Sequence, residues 1–249
     1  MYSIWNTIDN IYLEEKQVIP KKIHYCWFGR GEKPKLAKKC ICSWEKYCLD
    51  YEIIEWNEDN FDINMNGYTK WCYENRKYAF LSDYVRLWVV YQHGGLYFDT
   101  DVELKRNPDF LLDNEAFFGF ENNQIVATGL GFGSVPGGII LENMLSEYEP
   151  LLDGKSGTIG CPILNTQALL KLGLKTNGEY QELPCGVIYP KQYFNPYEST
   201  TGRLEMTKNT VSIHWYTGSW LTWKQRLRSA VGKPLHRVFG TSFMEKFRK

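Results

Sequence analysis

Residues Gly94 to Asp109 read GGLYFDTDVELKRNPD. A glycine pair opens the stretch, a short apolar strand follows, and the strand delivers Asp99 and Asp101. Strand side chains alternate faces, so residues two apart share one. Leu96, Phe98, Thr100 and Val102 form one row, and Tyr97, Asp99, Asp101 and Glu103 the other. Two adjacent carboxylates repel unless positive charge sits beside them. Their natural partner is a hard divalent cation that also holds phosphate oxygens.

Upstream, residues 68–93 carry one long helical pattern, with Ala79, Phe80, Tyr84, Leu87, Trp88 and Tyr91 near helical spacing. Asp83 and Arg86 are three apart and therefore neighbours on its surface. Gly94-Gly95 supplies a left-handed exit from the helix. Further out, KKIHYCWFG predicts a strand ending at Gly29, GRGEKPK a loop, Leu36 to Tyr47 a helix and Tyr51 to Trp56 a strand. This order favours an α/β layered fold with a partly parallel sheet, in which ligands gather beyond the carboxyl ends of the strands. Downstream, EAFFGFE predicts a strand, Ile139 to Leu152 a helix, and GTIGCPILNTQALLKL a loop followed by a helix from about Ile163. Val187 to Tyr189 and Val211 to Trp215 predict short strands, and residues 3–16 suit a short amphipathic helix.

The 249 residues are 43% hydrophobic and 23% charged, as in an ordinary folded domain. Aromatics reach 16%, which suits a core and also stacking on sugar rings and bases. The formal net charge is zero but uneven: residues 224–249 carry +7 and the remainder −7. We therefore expect one domain over 1–223 and a basic, aromatic tail over 224–249 facing an anionic surface such as a membrane. Nothing in this pattern suggests a nucleic-acid partner. Seven cysteines without a C-x-x-C pair disfavour a zinc site and fit a reducing, cytoplasmic setting. The N-terminus is too polar for a signal peptide, and no apolar run is long enough to span a membrane.

An apolar strand running into D-x-D fits two chemistries. In a haloacid dehalogenase-type phosphatase the first aspartate is a nucleophile on phosphorus. In a nucleotide-sugar glycosyltransferase the aspartates hold a metal on the diphosphate. A third class, a non-catalytic carbohydrate-binding module, would not need the carboxylate pair, Arg86 and a base-stacking aromatic together.

The run AFLSDYVRLWVVYQHGGLYFDTDVEL, residues 79–104, resembles glycosyltransferase family 32, whose sugar-binding region carries a DXD motif. It also looks like the glucosyltransferase domain of the large clostridial toxins. The likeness spans roughly residues 19–220, with S-D-x-x-R followed by G-G-x-Y-x-D-x-D as its most specific part. The resemblance implies a GT-A, Rossmann-like single domain, a nucleotide-diphosphate sugar donor, Mn²⁺ or Mg²⁺, and retention of anomeric configuration. UDP-sugars are the preferred donors it implies, with GDP-mannose as the other choice.

Residue by residue, the resemblance makes Asp101 a metal ligand and Asp99 a ligand to ribose or to the metal through water. Tyr97 would line the nucleoside pocket, and Trp27 would stack on the base. Asp83 and Arg86 would hold donor-sugar hydroxyls, with Ser82 adding a hydrogen bond. HWYTGSW, residues 214–220, resembles the closing motif of these enzymes. There His214 would complete the metal shell, Ser219 or Thr217 would supply an oxygen, and Trp220 would close over the diphosphate. GTIGCP resembles an acceptor-side segment, with Asn122, Asn123 and Gln167 as candidates nearby. The implied acceptor is a saccharide carried on a lipid diphosphate, in capsular or surface polysaccharide synthesis.

Overall fold

The computed structural model describes residues 17–217. The expected N-terminal helix, Ser219, Trp220 and the basic tail lie outside the described residues. Eleven strands and five α-helices run β1 (Lys22–Cys26), α1 (Lys35–Tyr47), β2 (Glu52–Trp56), α2 (Gly67–Glu74), α3 (Tyr78–His93), β3 (Gly95–Tyr97), β4 (Val102–Leu104), β5 (Ala116–Gly119), β6 (Phe132–Ser134), α4 (Ile139–Ser146), α5 (Cys161–Lys171), β7 (Gln181–Leu183), β8 (Gly186–Tyr189), β9 (Tyr197–Glu198), β10 (Arg203–Leu204) and β11 (Ser212–His214) among the described residues.

Seven strands form a mixed sheet in the order β2-β1-β3-β6-β5-β8-β7. β1 pairs in parallel with both β2 and β3, and β5 with β8, while β6 runs antiparallel to β3 and β5. This meets the α/β expectation. Alternation along the strands fills two cores. Tyr97 and Phe118 face one core with α3, α4 and α5, whereas Leu96, Phe98 and Phe117 face the other with Cys40 and Trp44 of α1.

The continuous helix expected over 68–93 is two helices. Lys77 N donates to Cys72 O at 2.7 Å and Arg76 N to Tyr73 O at 3.0 Å, which closes α2 in a Schellman motif. Its left-handed residue is Arg76, at φ 55°, where a glycine is usual. The helix exit at Gly94 also differs from the αL form expected. Its φ of 62° and ψ of 177° belong to a region open essentially to glycine alone.

The strand expected to run from Leu96 through Glu103 breaks at the aspartates. β3 ends at Tyr97, and a turn follows in which Val102 N donates to Asp99 O at 2.9 Å. β4 then leaves the large sheet and pairs antiparallel with β11. Its other side is closed by α1: Trp44 Nε1 donates to Val102 O at 2.8 Å, and Leu104 N donates to Ser43 Oγ at 2.9 Å. Side chains of a helix therefore supply hydrogen bonds a neighbouring strand would otherwise make. The turn survives because Val102 and Leu104 rejoin the core of Leu96 and Phe98 beyond it.

Trp44 is fully buried. Replacing it with phenylalanine keeps an aromatic ring but orphans the Val102 carbonyl. Trp44→Phe should lower unfolding stability by about 1–3 kcal/mol in urea titrations.

Candidate active site

The break in the strand builds the site. Because the chain turns between β3 and β4, Asp99 and Asp101 approach by turn geometry instead of sharing a strand face. β11 pairs His214 with Val102, which lays the imidazole beside Asp101. His214 Nε2 lies 3.1 Å from Asp101 Oδ1. Asp101 Oδ2 accepts from Thr217 N and from Thr217 Oγ1, both at 2.8 Å. Trp215 N donates to the Asp101 carbonyl at 3.0 Å. Burial alone would raise the Asp101 carboxyl, but His214 and the Thr217 hydrogen bonds hold it well below the usual range. Burial likewise opposes the His214 charge, and the Asp101 carboxylate overcomes it, so the imidazole titrates above its ordinary value.

A second charge cluster backs Asp99. Arg86 Nη2 lies 2.9 Å from Asp83 Oδ1 and 2.9 Å from Asp99 Oδ1. Its Nε donates to Ser82 O at 3.2 Å, its Nη1 lies 3.9 Å from Cys161 Sγ, and its guanidinium sits 5.1 Å from the centre of the Tyr97 ring. Tyr97 Oη donates to Asp99 Oδ1 at 3.2 Å. Burial pushes the Asp99 carboxyl up to about 6, with Arg86 pulling against it and Asp101 adding to it. Asp83 is also raised, chiefly by burial, although Arg86 and the backbone N–H of Cys161 at the start of α5 favour its charged form.

Asp99, Asp101 and His214 can bring one ligand atom each within 4.8 Å of one another. Two carboxylates and an imidazole suit Mn²⁺, which takes nitrogen as well as oxygen ligands, better than Mg²⁺, which prefers oxygen alone. His214 Nε2 faces the carboxylates, and its buried Nδ1 has no hydrogen-bond partner among the described residues. The donor set fits the implied metal.

The expected residues divide by access. Asp83, Asp99, Asp101 and His214 keep 14%, 25%, 12% and 12% of their side-chain surface open, whereas Arg86 keeps 3%. Tyr97 is buried beneath Arg86, with the Cys26 thiol against it. A direct approach of Arg86 to sugar hydroxyls, or of Tyr97 to a nucleoside, therefore meets closed packing. Trp27 is half-buried just past β1, donates its indole N–H to Gly31 O at 2.6 Å, and lines a recess with Arg30, Lys33, Glu55 and Asn57. Asn122 and Gln167 are exposed, while Asn165, one turn into α5, is buried and donates to Thr128 Oγ1 at 2.9 Å.

Gly129 goes unrecognised in the sequence as part of this site, and Cys161 falls there only within the segment expected on the acceptor side. A Cβ on Gly129 would sit 2.6 Å from Asp99 Oδ2 and 3.1 Å from Arg86 Nη1. The signal available was the small-residue run Ala127 to Gly129, but its partner carboxylate lies thirty residues away.

Residues 34–118 match the family described as glycosyltransferase sugar-binding region containing DXD motif. Over 115 residues the chain is 28% identical to inositol phosphoceramide mannosyltransferase 3 of Schizosaccharomyces pombe, covering 43% of this chain and 31% of that protein's length. The chain thus spans about a third of that curated relative. Among solved structures, PaToxG glycosyltransferase superposes with TM-score 0.49 at 16% identity, covering 62% of this chain and 69% of the other. A glycosyltransferase involved in glycosylation of the major capsid of PBCV-1 gives TM-score 0.49 at 11% identity, covering 85% and 100%. The DXD of the matched family is Asp99-Thr100-Asp101.

Gly129 has an ordinary backbone conformation, so alanine there meets only the side chains. Gly129→Ala should push Asp99 off Arg86, so the melting temperature should fall while circular dichroism stays native. The Mn²⁺-dependent rise in melting temperature should fall by more than half in a thermal-shift titration.

Proposed function

We propose that the chain is a metal-dependent glycosyltransferase of GT-A type. It moves a hexose or N-acetylhexosamine from a nucleotide-diphosphate sugar, preferably a UDP-sugar, to a saccharide acceptor. The observation that carries this reading is the convergence of Asp99 and Asp101, from the family-matched segment, with His214, more than a hundred residues later. The resemblance supports an acceptor carried on a lipid diphosphate in surface-polysaccharide synthesis, with GDP-mannose as the alternative donor.

Asp101 and His214, with Asp99 directly or through water, hold the cation. When bound, Mn²⁺ or Mg²⁺ neutralises charge that develops on the departing nucleoside diphosphate. Arg86 is a positioning residue in this scheme: it keeps Asp83 and Asp99 charged and aimed at the opening. Asp83, which remains partly open, meets donor-sugar hydroxyls and favours positive charge at the anomeric carbon. Trp27 stacks on the base, and Ser82 adds a hydrogen bond to the nucleoside or the sugar. Ser219 and Trp220 close over the diphosphate. The departing phosphate assists deprotonation of the acceptor hydroxyl on the same face, so configuration is retained. The basic tail docks the enzyme to the cytoplasmic face of an anionic membrane. Among the described residues no helix is long and apolar enough to cross one.

The phosphatase alternative needs Asp99 as a nucleophile on phosphorus; the match of residues 34–118 to a glycosyltransferase sugar-binding family favours the cation role for this carboxylate instead.

Thermal shift with UDP, GDP and CMP, each with and without Mn²⁺, tests the donor reading. UDP with Mn²⁺ should stabilise most. A chain stabilised by none of the three contradicts it. Asp101→Asn keeps one acceptor oxygen for Thr217 but removes the charge. It should lower nucleotide-sugar hydrolysis by about 10²–10³-fold, the range for losing one preorganised electrostatic group, with the fold retained by circular dichroism.

A further inference from the structure

A metal-ligating histidine is ordinarily fixed by a hydrogen bond from its second ring nitrogen to a carboxylate or carbonyl. His214 has none: its buried Nδ1 is unpartnered among the described residues. What meets the ring instead is Tyr216, with ring centroids 4.1 Å apart. Tyr216 is held in turn. Its Oη donates to Glu121 Oε1 at 3.1 Å, and the Asn195 amide also reaches the phenol oxygen. Asn195 is 92% buried by the complement of its 8% exposure and donates to Glu121 O at 2.8 Å, tying the anchor together.

The backbone at Tyr216 carries a cost. Its φ is 50°, left-handed and rare for a large aromatic. Such strain persists only where surrounding contacts over-determine it, and it clusters at functional sites. Leaving β11 through this residue turns the chain so that Thr217 reaches Asp101 while the phenol folds back over His214.

We propose that Tyr216, anchored by Glu121 and Asn195, is a positioning residue that holds the His214 imidazole in its metal-binding orientation. The phenol does by packing what a hydrogen bond to Nδ1 does elsewhere. This inference rests on the metal reading above, and the experiment separates the two.

Mn²⁺ alone is titrated into full-length protein, with free Mn²⁺ followed by electron paramagnetic resonance. The proteins are wild type, His214→Gln, Tyr216→Phe, Glu121→Ala and the Tyr216→Phe/Glu121→Ala double variant. Melting temperatures establish that each is folded. Tyr216→Phe and Glu121→Ala should each weaken Mn²⁺ binding by about tenfold, the low end of the range for losing a partner that supports a metal ligand. The double variant should bind no more weakly than Tyr216→Phe, because that change already removes the hydrogen bond that Glu121→Ala cuts. Wild-type affinity in Tyr216→Phe and Glu121→Ala, with loss in His214→Gln, overturns the positioning role and leaves the metal site standing. The His214 ring protons, assigned by difference from His214→Gln, give a readout without metal. The ring current of Tyr216, whose tilted ring lies 4.1 Å away, should shift them in wild type, and cutting the anchor should reduce that shift. If wild type binds no Mn²⁺, the metal reading fails. Ring-proton shifts unchanged in Tyr216→Phe and Glu121→Ala overturn the anchored contact whatever the metal does.

Discussion

A buried guanidinium is the constraint on which this site depends. Arg86 sits behind Asp83 and Asp99 and balances charges that could not otherwise remain ionised so far from water. His214 does the same for Asp101 from the opposite side. Three carboxylates and two basic groups thereby form one network, with the open side left to the carboxylates. Arg86 is the wrong group to touch substrate, because its nitrogens are turned toward Asp83, Asp99, Ser82 and Cys161. Its contribution is orientation, and the chemistry falls to the groups it orients.

The fold serves that network by discontinuity. A strand carried straight through residues 96–103 would keep β4 in the large sheet, away from β11. The turn at Asp99–Val102 sends β4 to a separate two-stranded ribbon, and α1 seals the ribbon's free edge through Trp44 and Ser43. Only then can a segment more than a hundred residues downstream deliver His214, Thr217 and Tyr216 to the same place. The strand break and the left-handed Tyr216 are both departures from regular geometry, and both lie at the site.

Much of this was legible in the sequence, for physical reasons. Strong local periodicity marked α1, β2, α3 and β5, and Gly94-Gly95 marked the helix exit. The pair Asp83 and Arg86 followed from helix spacing, and the structure shows the ion pair. What escaped was non-local or unusually coded. The stop between α2 and α3 uses Arg76 where glycine would have announced it. The turn at Asp99–Val102 contains no glycine or proline, and its one turn-favouring signal, Asp99 at the first position, is masked by the apolar alternation that continues on either side. Short β7, β9 and β10 carry two or three residues each, too few for a period. Gly129 faces Asp99 only after the sheet is assembled, and Glu121 matters only because Tyr216 reaches it.

The central claim is that Asp99, Asp101 and His214 form one cation site for a nucleoside diphosphate. Anomalous diffraction at the manganese edge, from crystals grown with Mn²⁺ and UDP, tests it most directly. The account predicts a single strong peak among Asp101, His214 and Asp99, with diphosphate density in contact and Arg86 behind the carboxylates. A manganese peak elsewhere, or UDP bound away from the Asp99–Asp101 turn, would contradict it.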